Sequence, residues 1–205
     1  MKEYFGSISS VVSACNHGQI NAKQLCEFVI NEGISFSWHP LGFMMATLLD
    51  EGREKIRLHL WTNTFDKAQK PTWLVHDHKF DLTSWVLSGS IKNIEYKDLT
   101  LPETHQLYSV SYNSTGSVLA KLDQRYGLAV DKTQEVNEGE AYRISAGTFH
   151  QSLSLSSRTT VTVCHTVDKK NTPPLVIGDI DGVEQYHYQR SPVHIGELQV
   201  VIEQI

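Results

Sequence analysis

The sequence predicts an all-β sandwich or barrel with short helices at its ends, and three observations lead there. From Phe36 to Val167, short apolar or alternating stretches follow one another, broken by Gly, Asn, Asp and Pro turn signals. Helical spacing of apolar residues is confined to the two termini, and repeats and low-complexity tracts are absent. The chain has 205 residues, 40% hydrophobic and 20% charged, which suits one well-buried core with decorated ends.

Taken in order, residues 4–15 read as an amphipathic helix, with Phe5, Ile8, Val11 and Val12 three and four apart and Asn16 to Gly18 ending it. Asn21 followed by Gln24 has the form of a helix N-cap, and Leu25, Phe28 and Val29 make the buried stripe of a second helix up to Gly33. From Phe36 the pattern turns to β. Phe43 to Leu49 is an apolar run, Asp50 to Arg53 a hairpin signal, and Lys55 to Trp61 alternates, with Arg57, His59 and Trp61 on one face and Ile56, Leu58 and Leu60 on the other. Either the aliphatic face is buried and Arg57 and His59 stand in water, or the polar face lines a cavity in which an arginine fork could grip a carboxylate.

Further strands are expected over Ile91–Tyr96, His105–Ser111, Gly116–Leu122, Tyr142–Ile144 and Arg158–Val167, with a loop through Pro102 and turns at Tyr126 and Gly127 and from Asn137 to Gly139. Pro173 and Pro174 mark the exit from the barrel into a loop, in which Asp179 to Gly182 reads as a turn and not as a calcium loop. Ser191 and Pro192 look like an N-cap and first helical residue, followed by Leu198, Val201, Ile202 and Ile205 on one helical face. The organisation expected is a helical extension over 1–35, a barrel over 36–172, and a loop and helix over 173–205 that packs on the barrel wall or on a second subunit.

A formal charge of −5, with no basic cluster beyond Lys169 and Lys170, speaks against nucleic acid as a partner. No apolar run approaches the roughly 20 residues of a membrane helix, and the N-terminus lacks a secretory pattern. Cys15, Cys26 and Cys164 form neither a disulfide framework nor a thiolate metal spacing, so a reduced, cytoplasmic protein is expected.

The chemistry is expected between Leu74 and Gly89, where His76 and His78 are one residue apart just before an apolar strand. Alternation along an extended chain points both imidazoles to the same side, at a spacing that one metal ion can bridge. That geometry calls for a third ligand, and His150 is a candidate, following a strand signal and a tight turn through Ser145, Ala146 and Gly147. Asp81, and Asp77 beside the pair, are possible fourth ligands. Strand parity places Leu82, Ser84 and Val86 inward and Asp81 outward.

These two stretches resemble the paired motifs of the cupin superfamily, roughly G-x5-H-x-H-x3,4-E-x6-G and G-x5-P-x-G-x2-H-x3-N. The second match keeps Gly139, Gly147 and His150, with Ser145 for the proline and Ser154 for the asparagine; the first keeps His76, His78 and Gly89, lacks the opening glycine, and has Leu82 for the glutamate. The resemblance, over about half of the chain, implies a double-stranded β-helix (RmlC-like jelly-roll barrel). It also implies a metal site of His76, His78 and His150 similar to that of the three-histidine thiol dioxygenases, and often a homodimer.

Three imidazoles without a carboxylate leave a divalent ion its full charge and open positions, which suits an anionic substrate or dioxygen. Fe(II) is favoured by the resemblance, with Zn(II), Mn(II), Ni(II) and Cu(II) as alternatives. Arg57 or His59 would anchor an acidic small-molecule substrate, and Tyr142 would orient it or donate a proton. The reading is a non-haem iron dioxygenase; a metal-dependent isomerase or lyase, or a non-catalytic small-molecule-binding module, are the alternatives.

Overall fold

A computed structural model describes residues 1–99 and 102–205, so the loop expected through Pro102 falls partly on residues 100–101, outside the described residues. At the N-terminus the continuous helix expected over 4–15 is divided. Ser7 is extended and its Oγ accepts from Ser10 N at 3.2 Å, so helix α1 (Ile8–Asn16) starts after it, and Tyr4–Gly6 forms a separate 3-10 turn. Helix α2 (Ala22–Asn31) begins where the cap predicted, with Asn21 Oδ1 accepting from Gln24 N at 3.1 Å. The C-terminal helix α3 (Ile195–Ile202) starts three residues later than Pro192 suggested. Pro192 is instead held in a β-bridge to Ser37, and the Glu197 carboxylate accepts from His194 N at 3.0 Å at the helix start.

The strands are β1 (Ser37–Trp38), β2 (Met44–Asp50), β3 (Glu54–Trp61), β4 (Phe80–Ser88), β5 (Ser90–Leu99), β6 (His105–Tyr112), β7 (Gly116–Asn137), β8 (Ala141–Ile144), β9 (Phe149–Ser154), β10 (Thr160–Asp168), β11 (Leu175–Asp179) and β12 (Gln185–Gln189). One antiparallel sheet has the order β1-β2-β3-β10-β4-β8; the other has the order β11-β6-β7-β5-β9, with β12 beside β7. His76 bridges both His150 and Val176, which inserts residues 75–77 between β9 and β11.

The core of the fold is therefore β3-β10-β4-β8 against 75–77, β9, β5 and β7. In chain order that is first-eighth-third-sixth against second-seventh-fourth-fifth, the interleaving of a double-stranded β-helix, or jelly roll. The insertion of 75–77 also closes the second sheet on itself. Ile177 N donates to Val75 O at 2.9 Å, and Asp77 N to Leu175 O at 2.9 Å. The resulting ring has its own core of Leu107, Phe149 and Ile177.

Two sequence expectations fail here, each because a partner distant in the chain decides the outcome. Tyr126 and Gly127 do not turn the chain: β7 runs through them for 22 residues, pairing first with β6 and then with β5. Gly127 is needed for close approach, since a Cβ there would run into the Leu99 carbonyl. The segment after Pro174 is not a barrel exit but supplies β11 and β12, which pair with β6 and β7. The turn read at Asp179 to Gly182 is present between them, with Gly182 N donating to Asp179 O at 3.0 Å.

Both alternatives for β3 hold in part. Ile56, Leu58 and Leu60 are fully buried with Val161, Val163, Met44 and the inner faces of the three helices, while Arg57, His59 and Trp61 line a cavity between the sheets. The strand is covered on both sides, and neither face is left to water. No described helix is long and apolar enough to cross a membrane. Replacement of Leu58 by Ala should cost about 2–5 kcal/mol, read from urea unfolding, without displacing the cavity-side residues that alternate with it.

Candidate metal centre

The three histidines predicted from spacing are brought together by backbone pairing. His76 N donates to His150 O at 3.1 Å, and His150 N donates back to His76 O at 2.9 Å. Gly147 N donates to His78 O at 2.9 Å, which ties the second motif to the first a second time. Gly147 holds φ +84°, a left-handed conformation that side chains rarely adopt. In the extended 76–78 stretch the two outer imidazoles share one side and Asp77 takes the other.

The rings form a nearly equilateral triangle, with centroids 4.8 Å apart for His76 and His78 and 4.7 Å for each with His150. One nitrogen from each lies within 4.8 Å of the others, a group that could hold a metal ion. His76 Nδ1 lies 2.8 Å from Leu74 O, and His150 Nδ1 2.9 Å from Thr148 O. A carbonyl can only accept, so both Nδ1 atoms carry the proton and both Nε2 atoms present a lone pair. His78 stacks on Phe80 at 4.4 Å, and its Nδ1 is buried without a partner.

Burial is the largest cause of a lowered pKa at all three, taking His150 down to about 3 and His78 well below the ordinary histidine value; the neighbouring imidazoles lower both further. The rings are thus neutral, the form that ligates. His76 Nε2 meets His78 Nε2 at 3.1 Å, a contact that only a proton or a cation between them makes attractive. The donor set fits a divalent cation.

Among the described residues no carboxylate joins the group. Asp77 accepts from Leu175 N, and Asp81 accepts from Ala146 N at 2.9 Å and lies 3.8 Å from Lys169. Leu82, Ser84 and Val86 are buried, as strand parity requires.

The triad lies in the wall of a cavity of about 750 Å³, which Arg57, His59 and Tyr142 also line. Arg57 Nη1 donates to Thr166 Oγ1 at 2.8 Å, and its guanidinium lies 5.3 Å from the centre of the Phe80 ring, the same ring that stacks on His78. His59 Nδ1 lies 3.6 Å from Cys164 Sγ, and its Nε2 is buried without a partner. Burial first, then Arg57 and Arg190, takes the His59 pKa down to about 3. Tyr142 is buried, and that burial pushes its hydroxyl up to about 12, so it stays a protonated donor.

Two cavity residues escaped the sequence reading. His39, which no motif spacing singles out, lines the cavity stacked on Phe43 at 4.4 Å. Arg190 enters from the end of β12, a segment read as a loop, and no spacing signal marks it. His17, His187 and His194 are exposed.

No protein-family model matches the chain, and no curated protein matches it in sequence. Solved structures to which it is similar include a cupin superfamily protein from Desulfitobacterium hafniense, at 8% identity and a TM-score of 0.36, over 62% of this chain and 78% of that one. An RmlC-like cupin protein from Ralstonia eutropha JMP134 matches at 12% and 0.39, over 77% and 73%. Hydroquinone 1,2-dioxygenase PnpCD, solved with Cd2+ and 4-hydroxybenzonitrile, matches at 14% and 0.35, over 60% of this chain and 63% of that one. At these TM-scores the fold assignment rests on the strand order itself.

His76→Ala and His150→Ala should each lower metal content, measured by elemental analysis of untagged protein, from roughly one ion per chain to near zero, whereas exposed His187→Ala should leave it unchanged. Stability should also depend on pH in a defined window. His59 and His150 titrate near 6.5 unfolded and near 3 folded. As pH falls through that window the unfolded chain binds protons that the folded chain does not, so stability present above pH 6.5 is lost progressively toward pH 3. Urea midpoints of metal-free protein should show that loss, with a shallower slope in His59→Gln. Strand order and converging imidazoles together give this chain a double-stranded β-helix jelly roll with a three-histidine group that could hold a metal ion.

Proposed function

We propose that the chain is a mononuclear metal-dependent enzyme, a non-haem iron dioxygenase acting on a small acidic or thiol-containing metabolite. The observation that carries this reading is the convergence of three neutral imidazoles, His76, His78 and His150, in a cavity whose wall presents Leu82 where a carboxylate ligand would stand. Fe(II) is the favoured ion, with Zn(II), Mn(II), Ni(II) or Cu(II) able to occupy the same donors. When bound, the ion supplies Lewis acidity and, if it is iron, one-electron chemistry with dioxygen.

The chain's own residues divide the remaining work. Leu74 O and Thr148 O hold the His76 and His150 rings in the ligating tautomer. Phe80 and Trp61 give part of the wall an apolar surface that excludes water. Arg57 offers a fixed charge for an acidic group, beside a ring that separates it from the histidines. Tyr142 keeps its proton and can donate a hydrogen bond to bound substrate. The buried, unpartnered Nε2 of His59 is a further polar contact on the same strand as Arg57.

Iron reconstitution without oxygen, followed by oxygen-uptake screening over thiols, diketones and small acids, tests the reading. Uptake is expected with iron-loaded protein and should fall at least a hundredfold in His150→Ala. Absence of turnover with any first-row metal would overturn it. Turnover that persists without oxygen would move the assignment to an isomerase or lyase.

A further inference from the structure

Every acidic side chain lining the cavity is already engaged. Asp50 pairs with Lys55, Asp168 pairs with Lys79 at 2.7 Å, and Asp77 accepts from Leu175 N. The two arginines that line the same cavity are not. Among the described residues neither Arg57 nor Arg190 has a carboxylate within 4.0 Å. Arg57 uses one Nη1 on Thr166 Oγ1, and the Arg190 guanidinium has no hydrogen-bond acceptor among the described residues. Both are half-buried, so both charges have lost part of their hydration without gaining a counter-ion.

The elements that carry them are fixed. Arg57 sits mid-strand in β3, opposite Cys164 in β10 and Thr47 in β2. Arg190 is held just past β12 by its backbone N, which donates to Thr115 O at 2.8 Å, and by Trp38 N, which donates to the Ser191 carbonyl at 2.8 Å. The buried histidines near them, His39 and His59, are kept neutral by burial first and by these same arginines in part, and neither supplies a negative charge to balance them.

We infer that Arg57 and Arg190 together form an oxyanion subsite, one aromatic ring away from the three histidines, that selects substrates carrying a carboxylate or phosphate group. The proposal rests on the cavity being the substrate site, and it adds Arg190, contributed by the C-terminal segment, as a specificity-determining residue. Guanidinium forks bind both groups through paired N–H donors, and two forks in one cavity favour a group with oxygens to share between them. The substrate would then be a small molecule with an anionic end at the arginines and its reacting end toward the histidines.

Calorimetric titration of the full chain with inorganic phosphate and, separately, with succinate, in a buffer of large organic ions, tests the subsite apart from any reaction. At least one anion should bind the wild type. Arg190→Gln should weaken that binding at least tenfold, since a charge-assisted hydrogen bond is worth roughly 1.5–3 kcal/mol, while metal uptake stays unchanged. Arg190→Lys, which keeps the charge and loses the fork, should fall between the two, and it remains informative if the glutamine variant does not fold. Phosphate binding alone would identify a phosphorylated substrate, and succinate binding alone a carboxylate. Failure of both anions to bind, or equal binding by wild type and both Arg190 variants, would overturn the inference. Binding that persists in His76→Ala would separate the subsite from the metal reading, so that each can fail without the other.

Discussion

Two backbone hydrogen bonds between His76 and His150 are the constraint on which the rest of this molecule depends. Residues 74 apart in sequence become neighbours in one sheet, and the same bridge closes that sheet through 75–77 and β11 into a ring. Because the exchange is main chain to main chain, it fixes the position of both Cα atoms before any side chain acts. The carbonyls of Leu74 and Thr148 then set the ring orientations. The imidazole triangle is thus a product of strand register, and each ring inherits the rigidity of a ladder.

The electrostatics of the cavity follow from what that register excludes. Parity sends Asp81 outward and Leu82 inward, and Asp77 is turned away to a backbone N–H. No carboxylate offsets a cation held by the histidines, and the acids elsewhere on the wall are matched to lysines or to the backbone. Arginines without counter-ions extend the same positive potential across the cavity. Fixed positive charge in a partly dry cleft attracts anions and strengthens each contact they make.

Much of this was legible in the sequence where the signal is local. The Asn21 cap, the hairpin from Asp50 to Arg53, the alternation of β3 and the two histidine motifs all depend on spacings of a few residues, and all appear as read. What could not be read depends on partners distant in the chain. Gly127 resembles a turn residue until Leu99 is seen against it, and β11 and β12 have too few residues for a periodic signal and owe their form to β6 and β7. Arg190 escaped for the same cause: its segment is a strand only because β7 is there to pair with it. Ser191 and Pro192 carried a helix-start signal, and pairing of Pro192 with Ser37 outweighed it.

The closed second sheet also limits where another strand could be added. A ring has no free margin of N–H and C=O groups, so strand addition must look elsewhere. The first sheet ends in β1, of 2 residues, and β8, of 4. Beside the ring, β12 has one flank on β7, and on Gln189 the side-chain amide of Gln69 accepts from the backbone N at 2.9 Å and donates to the carbonyl, imitating a neighbouring strand. With its sheet margins so short or so occupied, the chain turns side chains, and little unpaired strand backbone, toward whatever surrounds it.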